Sequence, residues 1–279
     1  MAVLGFWPRP SKWPIQPGTV DPGQRWVWHT RPRLIIPIWE HVSALTNQRH
    51  RRLRYSRGAE VWLQNTAMSM LRTRYGPALS LPTTDGHELE PPNSGNVGWS
   101  ANEPYTTAFV VKSRSGGAAT RHLFRSGSSS TGNHILFTTT GPVPNARHEA
   151  AGGAVTISGG SMVNDTTWHT LLTTWRPHFF GLYLDGNLVA SSTAANTATS
   201  AAWSIFRFGW GFSTNQDFNG DIALIACFAA SWTPAMIRRW HADPFGFLRP
   251  WNEVPALMGS APPATPPSTG TGVVVCLMG

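Results

Sequence analysis

Hydrolysis of a glycosidic bond with retention needs two carboxylates about 5 Å apart, which an E-x-D-x-x-E strand supplies by alternation. This sequence has no such strand. Its nearest grouping is Asp85, Glu88 and Glu90. The two glutamates would share a strand face, but Pro91-Pro92 follows at once, and the segment reads as a solvated edge strand. Gly127 to Gly132 repeats the glycine spacing of a phosphate loop, yet Asn133 and His134 stand where Lys and Ser/Thr are needed. Gly209-Trp210-Gly211 lacks the third glycine of a dinucleotide fingerprint, and no G-x-S-x-G elbow occurs. Ten histidines are scattered without H-x-H or H-x-x-x-H spacing. The expectation is a protein without enzymatic activity, metal or cofactor. One arrangement could still recognise a ligand: an aromatic platform, Trp210, beside the amide and carboxylate groups of Asn133, Asn164 and Asp165 would suit a sugar ring. Loop residues of these types also serve packing and turns.

The elements that would position such loops are strands. From Trp168 to Trp175 the residues are almost all aromatic, Leu or Thr, and Arg176-Pro177 closes the run. Phe179 to Leu184 then reaches Asp185-Gly186 and resumes as Asn187-Leu188-Val189-Ala190. Asp-Gly between such runs predicts a hairpin with a primed turn, because glycine supplies positive φ without strain. Similar runs cover Leu34 to Val42, Ala59 to Leu63, Ala78 to Leu81, Tyr105 to Lys112, His122 to Arg125, His134 to Thr138, Ala154 to Ser158, Ser204 to Trp210 and Phe218 to Ser231. Ten to twelve strands in an all-β, two-sheet antiparallel jelly-roll sandwich are expected. Low charge content (13%) with 27 Gly and 23 Pro favours short strands and turns over long helices. One helix is expected: Thr233 can cap it, Pro234 suits its first turn, Met236, Ile237 and Trp240 form a stripe, and Asp243-Pro244 ends it.

The flanks differ from this core. Residues 1–33 are so rich in proline that neither helix nor central strand should persist. They read as an extended arm, followed by the sandwich over 34–250 and a Pro/Ser/Thr/Gly linker with an apolar tip over 251–279. Burial of Trp7, Trp13, Trp26 and Trp28 calls for a surface, either the chain's own sandwich or a neighbouring subunit. The net charge of +8 is concentrated: residues 1–76 hold twelve Arg/Lys against three acids, and the remainder ten against eleven. Arg49, Arg51, Arg52 and Arg54 lie in the densest basic run, read as a solvated loop or a contact to an acidic neighbour. No nucleic-acid motif surrounds it. Cys227 and Cys276 make no disulfide framework. Met1 to Trp7 is broken at Pro8 with no basic residue before it, unlike a secretory leader, and no run of about 18 apolar residues suggests a membrane span.

These motifs, taken in order, resemble laminin-G-like modules of the concanavalin A-like lectin/glucanase superfamily. Tyr75 to Leu81 followed by Asp85-Gly86 resembles the opening "G-x-A-L-x-F … D" strand. Tyr105 to Lys112 resembles "F-T-I-S-A-W-V-K", Trp168-His169 resembles "W-H-H-V-A-V-T", and Leu182 to Gly186 resembles "L-Y-V-D-G". Phe218 to Ile222 followed by Trp232 to Ile237 resembles the closing "F-x-G-x-I-D … L-S-x-x-E-I", with Met236 in place of the glutamate. The ending from Asp243 to Pro250 is similar to that of laminin-G-like proteins of tailed phages. This resemblance, the missing carboxylates and the arm-like termini lead to the expectation of a bacteriophage virion protein made in the host cytoplasm. It would be a capsid decoration, tail or fibre component that displays the jelly roll, forms homo-oligomers and is anchored by its arms to neighbouring subunits. A carbohydrate-binding module and, less well matched, a glycoside hydrolase are the alternatives.

Overall fold

The computed structural model describes residues 24–37, 50–54, 60–64, 69–73, 76–81, 88–90, 103–114, 121–126, 134–137, 143–150, 153–162, 167–194, 206–209 and 218–248. In chain order the elements are α1 (Trp26–His29), β1 (Pro32–Pro37), β2 (His50–Arg54), β3 (Glu60–Gln64), β4 (Ser69–Thr73), β5 (Gly76–Leu81), β6 (Glu88–Glu90) and β7 (Tyr105–Ser113). There follow β8 (Arg121–Ser126), β9 (His134–Phe137), β10 (Pro144–Ala150), β11 (Gly153–Ser158), β12 (His169–Arg176), β13 (Phe179–Leu184), β14 (Asn187–Ser192), β15 (Phe206–Phe208), β16 (Gly220–Phe228) and α2 (Pro234–Ala242). A single 3-10 turn, Gly246–Leu248, follows the last helix.

The strands form two antiparallel sheets of eight. The first runs β14-β13-β12-β7-β16-β5-β4, and the second β11-β10-β9-β8-β15-β6-β3-β2. One flank of β16 is shared: its start pairs with β5 (Gly220↔Leu81 to Ile222↔Leu79), and its remainder with β1 (Leu224↔Pro37 to Phe228↔Pro32). All nine residues of β16 are buried, as a near-continuous apolar run requires when both faces of a sheet are covered.

Alternation divides the side chains of the first sheet between two layers. Phe109, Val111, Leu171, Trp175, Phe180, Leu182, Ile225 and Cys227 enter the core between the sheets, where Phe124 and Phe208 of the second sheet meet them. Ala108, Val110, Leu172, Tyr183, Leu224, Ala226 and Phe228 enter a second cluster on the opposite face, covered by Val27, Trp232, Ile237, Trp240, Phe245, Phe247 and Leu248. The molecule is therefore a jelly-roll sandwich with a helical cap on one sheet.

The hairpin and the helix follow the sequence expectation. Asp185 and Gly186 have φ of 50° and 78°, the paired positive values of a type I′ turn. At the other end of β13, Pro177 and His178 make the turn, with His178 at φ 62°. Thr233 caps α2 by accepting from Met236 N at 3.3 Å, and Ile237 and Trp240 are buried.

Four expectations are corrected. Sixteen strands among the described residues replace ten to twelve, because short strands such as β2 and β10 have little apolar content of their own and are fixed by their neighbours. The basic run is not a loop: Arg51, Arg52 and Arg54 lie in β2, with Arg54 opposite Glu60 and Arg52 opposite Trp62. β6, which carries Glu88 and Glu90, is not an edge strand, since it pairs with β15 on one side and β3 on the other. The fourth concerns residues 24–33, which belong to the domain rather than to an arm. Trp28 Nε1 donates to the Phe247 carbonyl at 2.8 Å, and the Trp26 ring meets Trp232 edge-on at 5.1 Å. These two tryptophans pack on the chain's own cap, one of the two surfaces expected for them. Trp7, Trp13, Arg49 and the segment 251–279 lie outside the described residues.

Candidate functional site

Strand direction sorts the loops between two ends of the sandwich. At one end β7 and β5 finish, β12 and β16 begin, and β13 turns into β14. β15 also finishes there, with Gly209 N donating to Leu123 O and Phe218 N donating to Gly209 O. β11 arrives at the same end, where Gly159 N donates to Pro144 O.

None of the four sugar-platform candidates lies among the described residues, but the strands bracketing them do. Gly209, Met162 and Thr167, the described residues that border Trp210, Asn164 and Asp165 in sequence, lie at this end. Asn133 immediately precedes β9, whose first residue, His134, pairs with Arg125 near the finish of β8. That described border, His134, lies at the opposite end.

Two polar clusters stiffen the end at which β15 finishes. In the first, Asp185 Oδ2 lies 2.7 Å from His169 Nδ1, and its Oδ1 accepts from Thr170 N at 2.9 Å. Asp185 N returns a bond to Thr170 O at 2.9 Å, and Thr170 Oγ1 lies 2.7 Å from His241 Nδ1 on α2. The turn is thereby tied both to the adjoining strand and to the capping helix. Burial acts to raise the Asp185 pKa, but the His169 and Thr170 hydrogen bonds and the nearby histidine charges outweigh it and hold the carboxyl below its ordinary value. A carboxylate orienting a histidine is half of a catalytic triad. Here the other ring nitrogen of His169 is buried and has no hydrogen-bond partner, so no nucleophile completes it among the described residues.

The second cluster is a cross-strand row. Ser80 of β5, Asp221 of β16 and Lys112 of β7 stand side by side, on the face that also carries Val110 and Ala223. Asp221 is fully buried; Lys112 Nζ lies 3.1 Å from it, and Arg114 reaches back to contact both Asp221 and Ser80. The Lys112 and Arg114 side chains keep 19% and 38% of their exposure. One carboxylate thus answers two cations on partly exposed side chains, which makes the row a brace between three strands. Sequence reasoning did not single out Lys112, Arg114 or Asp221; the clue was a charged Lys-x-Arg ending one apolar strand and an Asp opening another.

Among the described residues no group of three or more His, Cys, Asp or Glu side chains is arranged to hold a metal ion.

Comparison with known proteins agrees with this architecture. Residues 83–238 match the laminin-G-like family described as the concanavalin A-like lectin/glucanases superfamily. No curated protein matches the chain. Similar solved structures include the binding domain of Paraclostridial Mosquitocidal Protein 1, with a TM-score of 0.61 at 10% identity over 77% of this chain and 52% of that one. Trypanosoma rangeli sialidase gives 0.55 at 14% identity over 77% and 33%. Domain 4 of AbnA, a GH43 extracellular arabinanase from Geobacillus stearothermophilus, in complex with arabinotriose, gives 0.53 at 13% over 75% and 97%. The chain spans about half of the first and a third of the second. At these identities the likeness is one of fold. With the family match covering more than half of its length, the chain belongs to the concanavalin A-like lectin/glucanases superfamily as a laminin-G-like member.

Proposed function

We propose that the chain is a non-enzymatic, lectin-like recognition module that meets a glycan with the braced end of its sandwich. The observation that carries this reading is the convergence at that end. The described strand ends that border Trp210, Asn164 and Asp165 in sequence meet there, and two carboxylates of that end, Asp185 and Asp221, are committed to a turn and a strand brace. An aromatic platform beside amide groups suits a sugar ring, and the sequence holds no E-x-D-x-x-E strand of the kind that cleaves one. The similarity to an arabinanase domain in complex with arabinotriose supports the reading, since nearly all of that domain is matched.

A glycan array followed by titration calorimetry tests it, with arabino-oligosaccharides included. Binding that is lost in Trp210→Ala, without release of reducing sugar, is expected. Silence across the array, or sugar release by the intact protein, would overturn it.

A role as a structural subunit of a phage particle is compatible with such a module, and residues 1–23 favour it. They place Trp7 and Trp13 in a proline-rich stretch ahead of a domain that is already capped by Trp26 and Trp28. That stretch would be the anchor to neighbouring virion subunits.

A further inference from the structure

On the capped face of the first sheet, Arg176 ends β12 four residues beyond Leu172 and so shares its side of the sheet with Tyr183 of β13. Gly181 lies between Phe179 and Tyr183 on that side, and both rings lean over it: a β-carbon there would come within 2.9 Å of Phe179 and 3.0 Å of Tyr183. The Arg176 guanidinium sits over the Phe179 ring, 5.3 Å from its centre, an arrangement that holds the charge in place and leaves its N–H groups to other partners. Arg238 of α2 completes the group. Burial raises the Tyr183 pKa, and the charges of Arg176 and Arg238 both pull it back. Two cations from different elements thus act on one phenol.

This cluster lacks an acid and an acceptor. Among the described residues neither arginine has a carboxylate in ion-pair reach: Glu103 answers Arg31 and Arg33, Asp185 faces His169, and Asp221 holds Lys112 and Arg114. Tyr183 is 1% exposed, and its hydroxyl is buried without a hydrogen-bond partner. Buried hydroxyls nearly always have one, because the unmade bond is costly. We infer that the cluster of Arg176, Tyr183 and Arg238 is a binding site for a doubly charged tetrahedral oxyanion, sulfate or phosphate, free or carried on a sugar. Two guanidinium groups match its charge and their N–H forks match its oxygens. An oxygen set between them would give the Tyr183 hydroxyl the acceptor it lacks. Arg176 and Arg238 are exposed, so the ion exchanges with solvent and should dissociate on the order of millimolar concentration. The site is built on the capped face and does not depend on the rim proposed to meet a glycan.

Titration of the full chain with sodium sulfate and with sodium phosphate at constant ionic strength, followed by NMR of the arginine Nε–H groups, tests this. Saturable shifts at Arg176 and Arg238 are expected. Arg176→Gln and Arg238→Gln should each weaken binding about tenfold, as loss of one charged hydrogen-bonding partner does. Tyr183→Phe should weaken it several-fold and leave the melting temperature unchanged, because the hydroxyl has no partner to lose within the fold. That combination separates a ligand contact from a structural one. Arg239→Gln, at the neighbouring exposed position of α2, should bind as the wild type does. A parallel titration with a galactose sulfate ester distinguishes the source: tighter binding than inorganic sulfate marks a sulfated sugar, and equal or weaker binding a free ion. Absence of a saturable shift at concentrations far above millimolar, an Arg239→Gln protein weakened as much as Arg238→Gln, or wild-type affinity in Tyr183→Phe would each overturn the proposal.

Discussion

His148 sits between the sheets with its Nδ1 3.0 Å from the Tyr105 hydroxyl and its ring stacked on Trp175 at 4.6 Å. Burial lowers its pKa to about 4. Burial, aided by the Arg125 charge, does the same for His122. An unfolded histidine titrates near 6.5, so between those two values the unfolded chain takes up protons that the folded chain refuses. Stability is therefore full above about pH 6.5, falls as pH drops towards 4, and levels off below that, with about 3 kcal/mol at stake for His148. Asp185 acts in the same direction lower down, its stabilisation present above the ordinary carboxylate pKa and lost on further acidification. Urea midpoints measured from pH 7 to 4 should slope downward, and His148→Phe should flatten part of that slope. At the brace, Asp221→Asn would leave Lys112 and Arg114 without their shared carboxylate. Because both side chains keep some exposure, a loss of about 3 kcal/mol, at the lower end for a broken buried pair, is expected in the same assay.

α2 shows how much an element can reveal in advance. Its cap, its proline and its apolar stripe are local signals, and each is present as read: Thr233 at the cap, Pro234 in the first turn, and Trp240 fully buried against Trp232 at 6.2 Å. Trp240→Ala should cost ~3–5 kcal/mol and Thr233→Ala about 1 kcal/mol, both by chemical denaturation. An unchanged midpoint for Trp240→Ala would mean the helix does not clamp the sheet. The Asp185-Gly186 turn was legible for the same reason, since positive φ is a one-residue requirement. β2 was not, because His50–Arg54 has no alternation and Leu53 as its one apolar residue, and its conformation depends on β3 lying beside it. The brace was illegible too, since Ser80, Lys112 and Asp221 are far apart in the chain and meet only through the order of β5, β16 and β7. Of the sugar candidates none lies among the described residues; the described neighbours of Trp210, Asn164 and Asp165 share one end and that of Asn133 lies at the other, a distinction that requires knowing strand direction.

Across the whole molecule, the charge excess of the first 76 residues proves to belong to strands more than to an arm. Residues 1–23 contain only Arg9, Lys12 and Asp21 as charged groups, whereas β2 and β4 place Arg51, Arg52, Arg54 and Arg72 on sheet ends. Two truncations follow. Removal of 1–23 should leave thermal stability unchanged and abolish incorporation into any particle that the chain helps to build. Removal of 1–33 should also lower the melting temperature markedly, because Val27, Trp26 and Trp28 leave the cap. Equal melting temperatures for the two truncations would contradict that division. The pairing of β1 with β16 has a further consequence, in time rather than in energy. Pro32 finds Phe228 roughly 200 residues after it is made, on the order of 10 to 40 s later at ordinary rates of synthesis. Through that interval the first sheet lacks its central strand, and an apolar β1 waits without its partner. Translation speed and chaperone supply, more than final stability, should then govern how much native protein a cell obtains.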